Sequence, residues 1–302
     1  MQSDLNKYNY LQLDVEELPS RGLYYPAGTK IKGRFLNLRD IKFIALITEG
    51  NATVIVNEII ERCFIFEKIT IDDILLCDRE YLAFWLRANS FIANNGFKIG
   101  IKKCSKCGIN FEKEIRLEEL DINYLQDFLP VITLPDSNIK LALKLPKIKD
   151  LKIKDDDKEI QYIARMIDYD DPLNLIYNLS AYDYAFLSDV ISAYKIGFVF
   201  DLQIFCPHCN QLHYVKASID DTNMFAQLNI RDIYRMILNC TKYTTYKIDD
   251  DISWPELEII SDVVNEMVKK ENEEMQKQQA AANAKASAMK SKYSSSSYHG
   301  HH

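Results

Sequence analysis

Apolar residues recur at helical spacing along much of the chain and switch to simple alternation at two places, and this change of period organises the reading. After Asn37, a residue suited to capping, Leu38, Ile41, Ile44 and Ala45 form one face of a helix. A second helix is predicted over Val54–Cys63. A third falls in DILLCDREYLAFWLRANSFI, where Leu82, Trp85, Leu86 and Asn89 keep the interval. That pattern yields at Asn94, Asn95 and Gly96 to FKIGIKKCSKCGINFEKEIRL, where the period becomes two. Two short strands are predicted to flank CSKCG as a hairpin knuckle, with Gly108 supplying the positive φ needed after the second cysteine. The order then repeats. AYDYAFLSDVISAY places Tyr182, Phe186, Val190 and Tyr194 on one helical face and leads through Gly197 into FVFDLQIFCPHCNQLHYVKASI, again strand, C-x-x-C, strand. Glu80 to Cys104 spans 24 positions and Asp183 to Cys206 spans 23, which predicts two related helix-plus-hairpin units.

Before the first helix, LPSRGLYYPAGT is punctuated by Pro19, Gly22, Pro26 and Gly28 and reads as an extended arm. The patterns divide the chain into this arm (1–36), a first helix-plus-knuckle unit (37–146), a second (147–220), C-terminal helices (221–269) and a polar tail (270–302). At the boundary between units, KLPKIKDLKIKDDDKE sets Lys147, Lys149, Lys152 and Lys154 against Asp150 and Asp155 to Asp157, and reads as a solvated connector. Further on, NMFAQLNIRDIYRMILNC predicts one helix and SWPELEIISDVVNEMVKK another. The latter starts at a Ser253–Glu256 capping box and buries Leu257, Ile260 and Val264. From about Lys270 the composition cannot bury a core of its own; it reads as a fraying helix that passes into disorder or is ordered by a partner.

With 302 residues and 47% hydrophobic content, the chain has material for one large or two moderate domains. It opens MQSDLNKYNYLQLD, without a basic stretch leading into an apolar run, and no apolar segment approaches the ~20 residues that cross a bilayer. A soluble intracellular protein is expected. The net charge of −7 disfavours a general phosphate-binding surface, which needs clustered Lys and Arg.

Seven cysteines without a secretion signal point to thiols or metal ligands rather than disulfides. Cys63, Cys77 and Cys240 stand alone among apolar residues and read as small hydrophobes. Cys104, Cys107, Cys206 and Cys209 come as two C-x-x-C pairs, and two such turns offer the four thiolates a structural zinc ion prefers. The 98 residues between Cys107 and Cys206 exceed a compact ribbon, so one shared ion would clamp the two units together. Capture of each pair by a neighbouring subunit is the alternative. A redox role for CPHC would require the pair at a helix N-terminus, whereas its flanks alternate as strands. His208 and His213 read as exposed loop and strand residues, not ligands. No P-loop, H-E-x-x-H, deaminase or G-x-S-x-G arrangement occurs, and enzymatic activity is not expected. The fold class that follows is α+β, mainly helical, with two zinc-knuckle hairpins forming a split zinc ribbon.

The succession LPSRGLYYP (Leu18–Pro26), LRDIKFIAL, DILLCDREYLAFWLR (Asp73–Arg87) and the first knuckle resembles the family of T-even-type bacteriophage baseplate hub and hub-assembly proteins. The similarity is carried by the N-terminal third, with looser helix-plus-knuckle likeness to about residue 220. Leu18, Pro19, Ser20, Gly22, Tyr25 and Pro26 match the arm motif; Tyr81, Leu82, Trp85, Leu86 and Arg87 match the central helix. Cys77, where the family has glycine before the aspartate, and the long polar C-terminus depart from it. The resemblance implies a structural component of a contractile-tailed phage baseplate hub, found in the virion tail and in host cytoplasm during assembly. Its partners would be other tail and baseplate proteins or further copies of itself, with no small-molecule substrate. Arg21, Tyr24 and Tyr25 are the expected exposed contact. The other readings are a non-virion tail-assembly chaperone and, from a different class, a zinc-ribbon nucleic-acid-binding regulator.

Overall fold

A computed structural model of the chain describes residues 9–92, 96–101, 103–216, 219–225 and 228–296. In chain order these form β1 (Leu11–Leu13), β2 (Lys30–Gly33), α1 (Leu38–Ile44), α2 (Ala52–Cys63), β3 (Phe64–Glu67), α3 (Leu76–Ser90), β4 (Phe97–Ile101) and β5 (Phe111–Ile115). There follow β6 (Ile122–Asn123), β7 (Val131–Thr133), β8 (Lys140–Leu143), α4 (Lys158–Met166), β9 (Ile167–Asp168), α5 (Pro172–Tyr177) and α6 (Ala181–Ser192). The chain finishes with β10 (Gly197–Phe198), β11 (Asp201–Phe205), β12 (Leu212–Lys216), α7 (Ile230–Tyr243) and α8 (Trp254–Ser296). The α+β class is as expected, with eight α-helices among the described residues and strands confined to small antiparallel sheets.

Local chemistry accounts for several boundaries. Asn37 accepts from Asp40 N while Asp40 accepts from Asn37 N, a reciprocal cap that starts α1. Asp157, Asp171 and Ser180 cap α4, α5 and α6 through their own side chains. Two sheets are three-stranded, β1–β2–β3 and β7–β8–β9, and β6 pairs with β10, so the chain after the first hairpin is tied through the backbone at Asn123–Gly197 to the chain before the second.

The whole is organised around α3. Asp78 is fully buried and accepts from Ser20 N, Ser20 Oγ and Tyr25 OH at 2.9, 2.5 and 2.6 Å, which fastens the N-terminal arm. Phe84, 1% exposed, packs against Phe97, Phe198 and Phe200 with ring centroids 4.9, 4.4 and 6.1 Å away, which joins β4 to β10. Trp85 lies over β2 and β3; a Cβ on Gly33 would come within 2.9 Å of its ring and 2.6 Å of Phe64, so only glycine lets strand and helix approach this closely. Arg87 donates to the carbonyls of Gly96, Asn223 and Met224, drawing in the chain beyond the second knuckle.

Three details differ from the sequence-based picture. The Lys147–Glu159 connector is not simply solvated: Ile148 and Asp150 are buried, Ile148 N donates to Ile74 O, and Asp150 receives Lys147 N. Its apolar Ile148 and capping Asp150 give it something to bury, which the lysine pattern conceals. In α6 the buried face is Asp183, Leu187 and Ile191, while Tyr182 is 67% exposed. Asp183 goes inward because its carboxylate receives Asp136 N and Ser137 N. Finally, α8 buries Leu257 and Val264 and then runs on unbroken to Ser296, well into the polar tail.

Candidate metal centre

The two C-x-x-C segments close hairpins of the same design. In the first, β4 and β5 pair from Phe97↔Ile115 to Ile101↔Phe111; in the second, β11 and β12 pair from Asp201↔Lys216 to Phe205↔Leu212. Their turns share one hydrogen-bond pattern. Cys104 N donates to Ile109 O and Gly108 N to Cys104 O, just as Cys206 N donates to Gln211 O and Asn210 N to Cys206 O. Gly108 takes the expected positive φ of 75°, and Asn210 takes the equivalent place at 55°, a conformation asparagine tolerates better than most residues.

The hairpins bring all four sulfurs within 4.8 Å of one another. Two sulfur contacts cross between hairpins, Cys104 Sγ to Cys209 Sγ at 3.6 Å and Cys107 Sγ to Cys206 Sγ at 3.8 Å. First cysteine thus meets second in both pairs, as a two-fold relation between the hairpins requires. These separations are far beyond a disulfide's ~2.05 Å. They agree with the ~3.8 Å edge of a tetrahedron whose vertices lie ~2.3 Å from a central zinc. Cys104 and Cys206 are 1% exposed, so solvent reaches the cluster mainly past Cys107 and Cys209.

Electrostatics point the same way. The backbone N–H of Cys107, with that of Lys106 and the His213 ring, lowers the Cys104 thiol to about 5. Cys209 receives Gln211 N–H, which favours its thiolate, yet burial and the other three sulfurs push it up to about 12. Cys107 also rises, despite the Ile109 N–H beside it. Hydrogen bonds among the sulfurs thus favour the Cys104 thiolate and hold Cys107 and Cys209 as thiols, a balance that a divalent cation at the centre would shift toward thiolates.

His213, expected to be an exposed strand residue, is half-buried with Nε2 3.4 Å from Cys104 Sγ and its ring edge-on to Phe111. It lies outside the four-sulfur group and contacts it through Cys104. Nothing near it in the chain marks this place, because the sulfur it meets belongs to the other hairpin. His208 is exposed, as expected.

Of the residues expected to form an exposed contact, Arg21 is exposed and adopts φ 54°. Tyr24 is half-buried: its OH receives Leu129 N, and its ring meets Phe128 edge-on at 5.1 Å. Tyr25 is only 9% exposed, because its hydroxyl is needed to satisfy buried Asp78. The arm is therefore fastened internally at Tyr25, while Arg21 faces solvent. Lone Cys63 and Cys240 are fully buried, while Cys77 is partly buried beside Asp78.

The β6–β10 pairing, the packing of Phe84 of α3 against both Phe97 and Phe198, and the four converging thiols together brace the middle of the chain. A family model described as T4 bacteriophage base plate protein matches residues 12–214, about two thirds of the chain, and the chain belongs to that family. The matched span runs from β1 into β12 and so contains both cysteine pairs. No curated protein and no solved structure matches the chain. As a phage baseplate protein it is a part of the virion tail that works in contact with other phage proteins. No helix among the described residues is long and apolar enough to cross a membrane.

Proposed function

We propose that the protein is a structural subunit of the baseplate hub of a contractile-tailed phage, acting through protein contacts, with its two halves clamped by one structural zinc ion on Cys104, Cys107, Cys206 and Cys209. The observation that supports this most is the convergence of four sulfurs from hairpins far apart in sequence, inside the span that carries the family match. Bound zinc would supply no reaction here. It would neutralise the thiolates and hold β4–β5 against β11–β12, while His213 and the turn amides fix the sulfur directions. A baseplate part transmits mechanical load, and such a brace stiffens a junction without a larger core.

Quantitative mass spectrometry of purified particles tests the assignment. A stoichiometric copy number supports the hub subunit. Presence in assembly intermediates but absence from mature particles would instead identify an assembly chaperone acting in the host cytoplasm. Salt-dependent binding to DNA or RNA would point to a zinc-ribbon regulator, a reading that the net charge of −7 disfavours.

A further inference from the structure

The charge of the chain is concentrated in two places. Between Asp155 and Asp189 lie nine acidic and two basic residues, so this segment carries a net −7 and the remainder of the chain balances to zero. It folds as α4, α5 and α6, whose side chains are knit into one surface. Tyr177 OH donates to Asp155 at 2.6 Å, and Tyr184 OH and Ser188 Oγ both donate to Glu159, at 3.2 and 2.9 Å. Tyr177 and Tyr182 present rings that are 62% and 67% exposed, and Asp156 and Glu159 are exposed beside them.

The opposite charge lies in α8. No Asp or Glu follows Glu274, whereas Lys277, Lys285, Lys290 and Lys292 do, a net +4 on an alanine-rich stretch. Val268 is the last described side chain of the helix packed on the core, and every side chain from Lys269 to Lys285 is exposed. The helix beyond Val268 is about 42 Å long at ~1.5 Å per residue. Helix with so little packing is marginal in water even when alanine-rich, so its order calls for a surface to rest on.

We propose that the lysine-bearing outer half of α8 docks on the acidic, tyrosine-lined α4–α6 face of a second copy of this chain. Within its own chain this stretch is not seated on a surface, since every side chain from Lys269 to Lys285 is exposed. Ala280, Ala281 and Ala282 keep the helix thin there, which lets flanking ammonium groups reach both the carboxylates and the faces of Tyr177 and Tyr182. The contact joins unlike surfaces, tail to face, so repetition closes a ring when the rotation permits. It depends neither on the metal centre nor on placement in the hub.

Sedimentation velocity of the full chain at about 0.1 M and about 1 M salt tests this, because the screening length falls from ~10 to ~3 Å between them. Self-association is expected at the lower salt and its loss at the higher. The variant K277E/K285E, altered only at exposed positions, should associate at least about tenfold more weakly, and D156K/E159K likewise. A chain carrying all four changes exchanges the charges and should recover association. Carbodiimide cross-links between isotopically labelled and unlabelled chains should join Lys285 to Asp156 or Glu159. A chain monomeric at both salts, association indifferent to both pairs of reversals, or Lys285 cross-links confined to single chains would each overturn the proposal. So would a monomeric chain that binds duplex DNA through the same lysines.

Discussion

Arg79 on α3 grips Asp221, 142 residues further on, with two parallel hydrogen bonds of 2.8 and 2.9 Å. Both side chains are largely buried, at 9% and 16% exposure, and Asp221 lies beyond the span shared with the baseplate family. The pair thus fastens the C-terminal part to the matched body. Arg79→Ala should cost about 3–5 kcal/mol by leaving Asp221 unpaired in a partly desolvated site. Urea unfolding of R79A, D221A and the double variant should show strong coupling; additive costs would mean that the pair is incidental.

The buried carboxylate of Asp78 is satisfied by three donors from the arm. Removing one of them with Tyr25→Phe should destabilise by about 1 kcal/mol. Asp78→Ala strands all three donors and should cost roughly 3 kcal/mol or more. Limited proteolysis supplies the specific readout, since D78A should expose the Leu18–Pro26 arm to cleavage before the rest of the chain unfolds.

Glu80 lies between the arginine of the Asp221 pair and the wall formed by Cys77 and Gly197, and burial pushes its carboxyl from the ordinary 4.5 up to about 7, against the pull of Arg79 and with a push from Asp221. A raised carboxyl binds more protons folded than unfolded between those values, so its stabilising share is present below the lower one and disappears as pH rises through about 7. Glu80→Gln should therefore raise Tm at pH ~8 while changing little at pH ~4.5. An equal effect at both would refute a titrating Glu80.

Metal analysis of the protein purified without chelator should find one zinc per chain. Cys206→Ser should abolish retention of the ion and lower stability by on the order of 3 kcal/mol or more. Cys240→Ala, a buried cysteine outside the cluster, should leave the zinc content unchanged. Wild-type protein free of metal, with a melting temperature indifferent to added zinc, would contradict the clamp.

Much of this site could be read in advance because it is local chemistry. Each C-x-x-C between alternating strands specifies a turn that aims two sulfurs outward, and Gly108 marks the left-handed residue that closes it. The α1 cap is equally local, needing only Asn37 and Asp40 three residues apart. The inward Asp183 and the half-buried His213 were not legible. Asp183 is satisfied by amides at Asp136 and Ser137, and His213 faces a sulfur on the other hairpin, so their partners are distant in sequence. Tyr25 shows the same limit, since nothing near it in the chain announces Asp78.

By itself the amino-acid order determined α1, α2, α3, α6, α7 and the start of α8, the two knuckles and the family likeness, since periodicity, caps and turn residues act over a few positions; α4 and α5, short and set among acidic residues, were not announced by it. Only the tertiary structure decided which sulfurs pair across the hairpins, which carboxylates go inside and how α3 gathers the arm, both hairpins and the C-terminal segment. Those choices depend on desolvation, and a polar group tolerates burial only where folding delivers the partner that replaces its water.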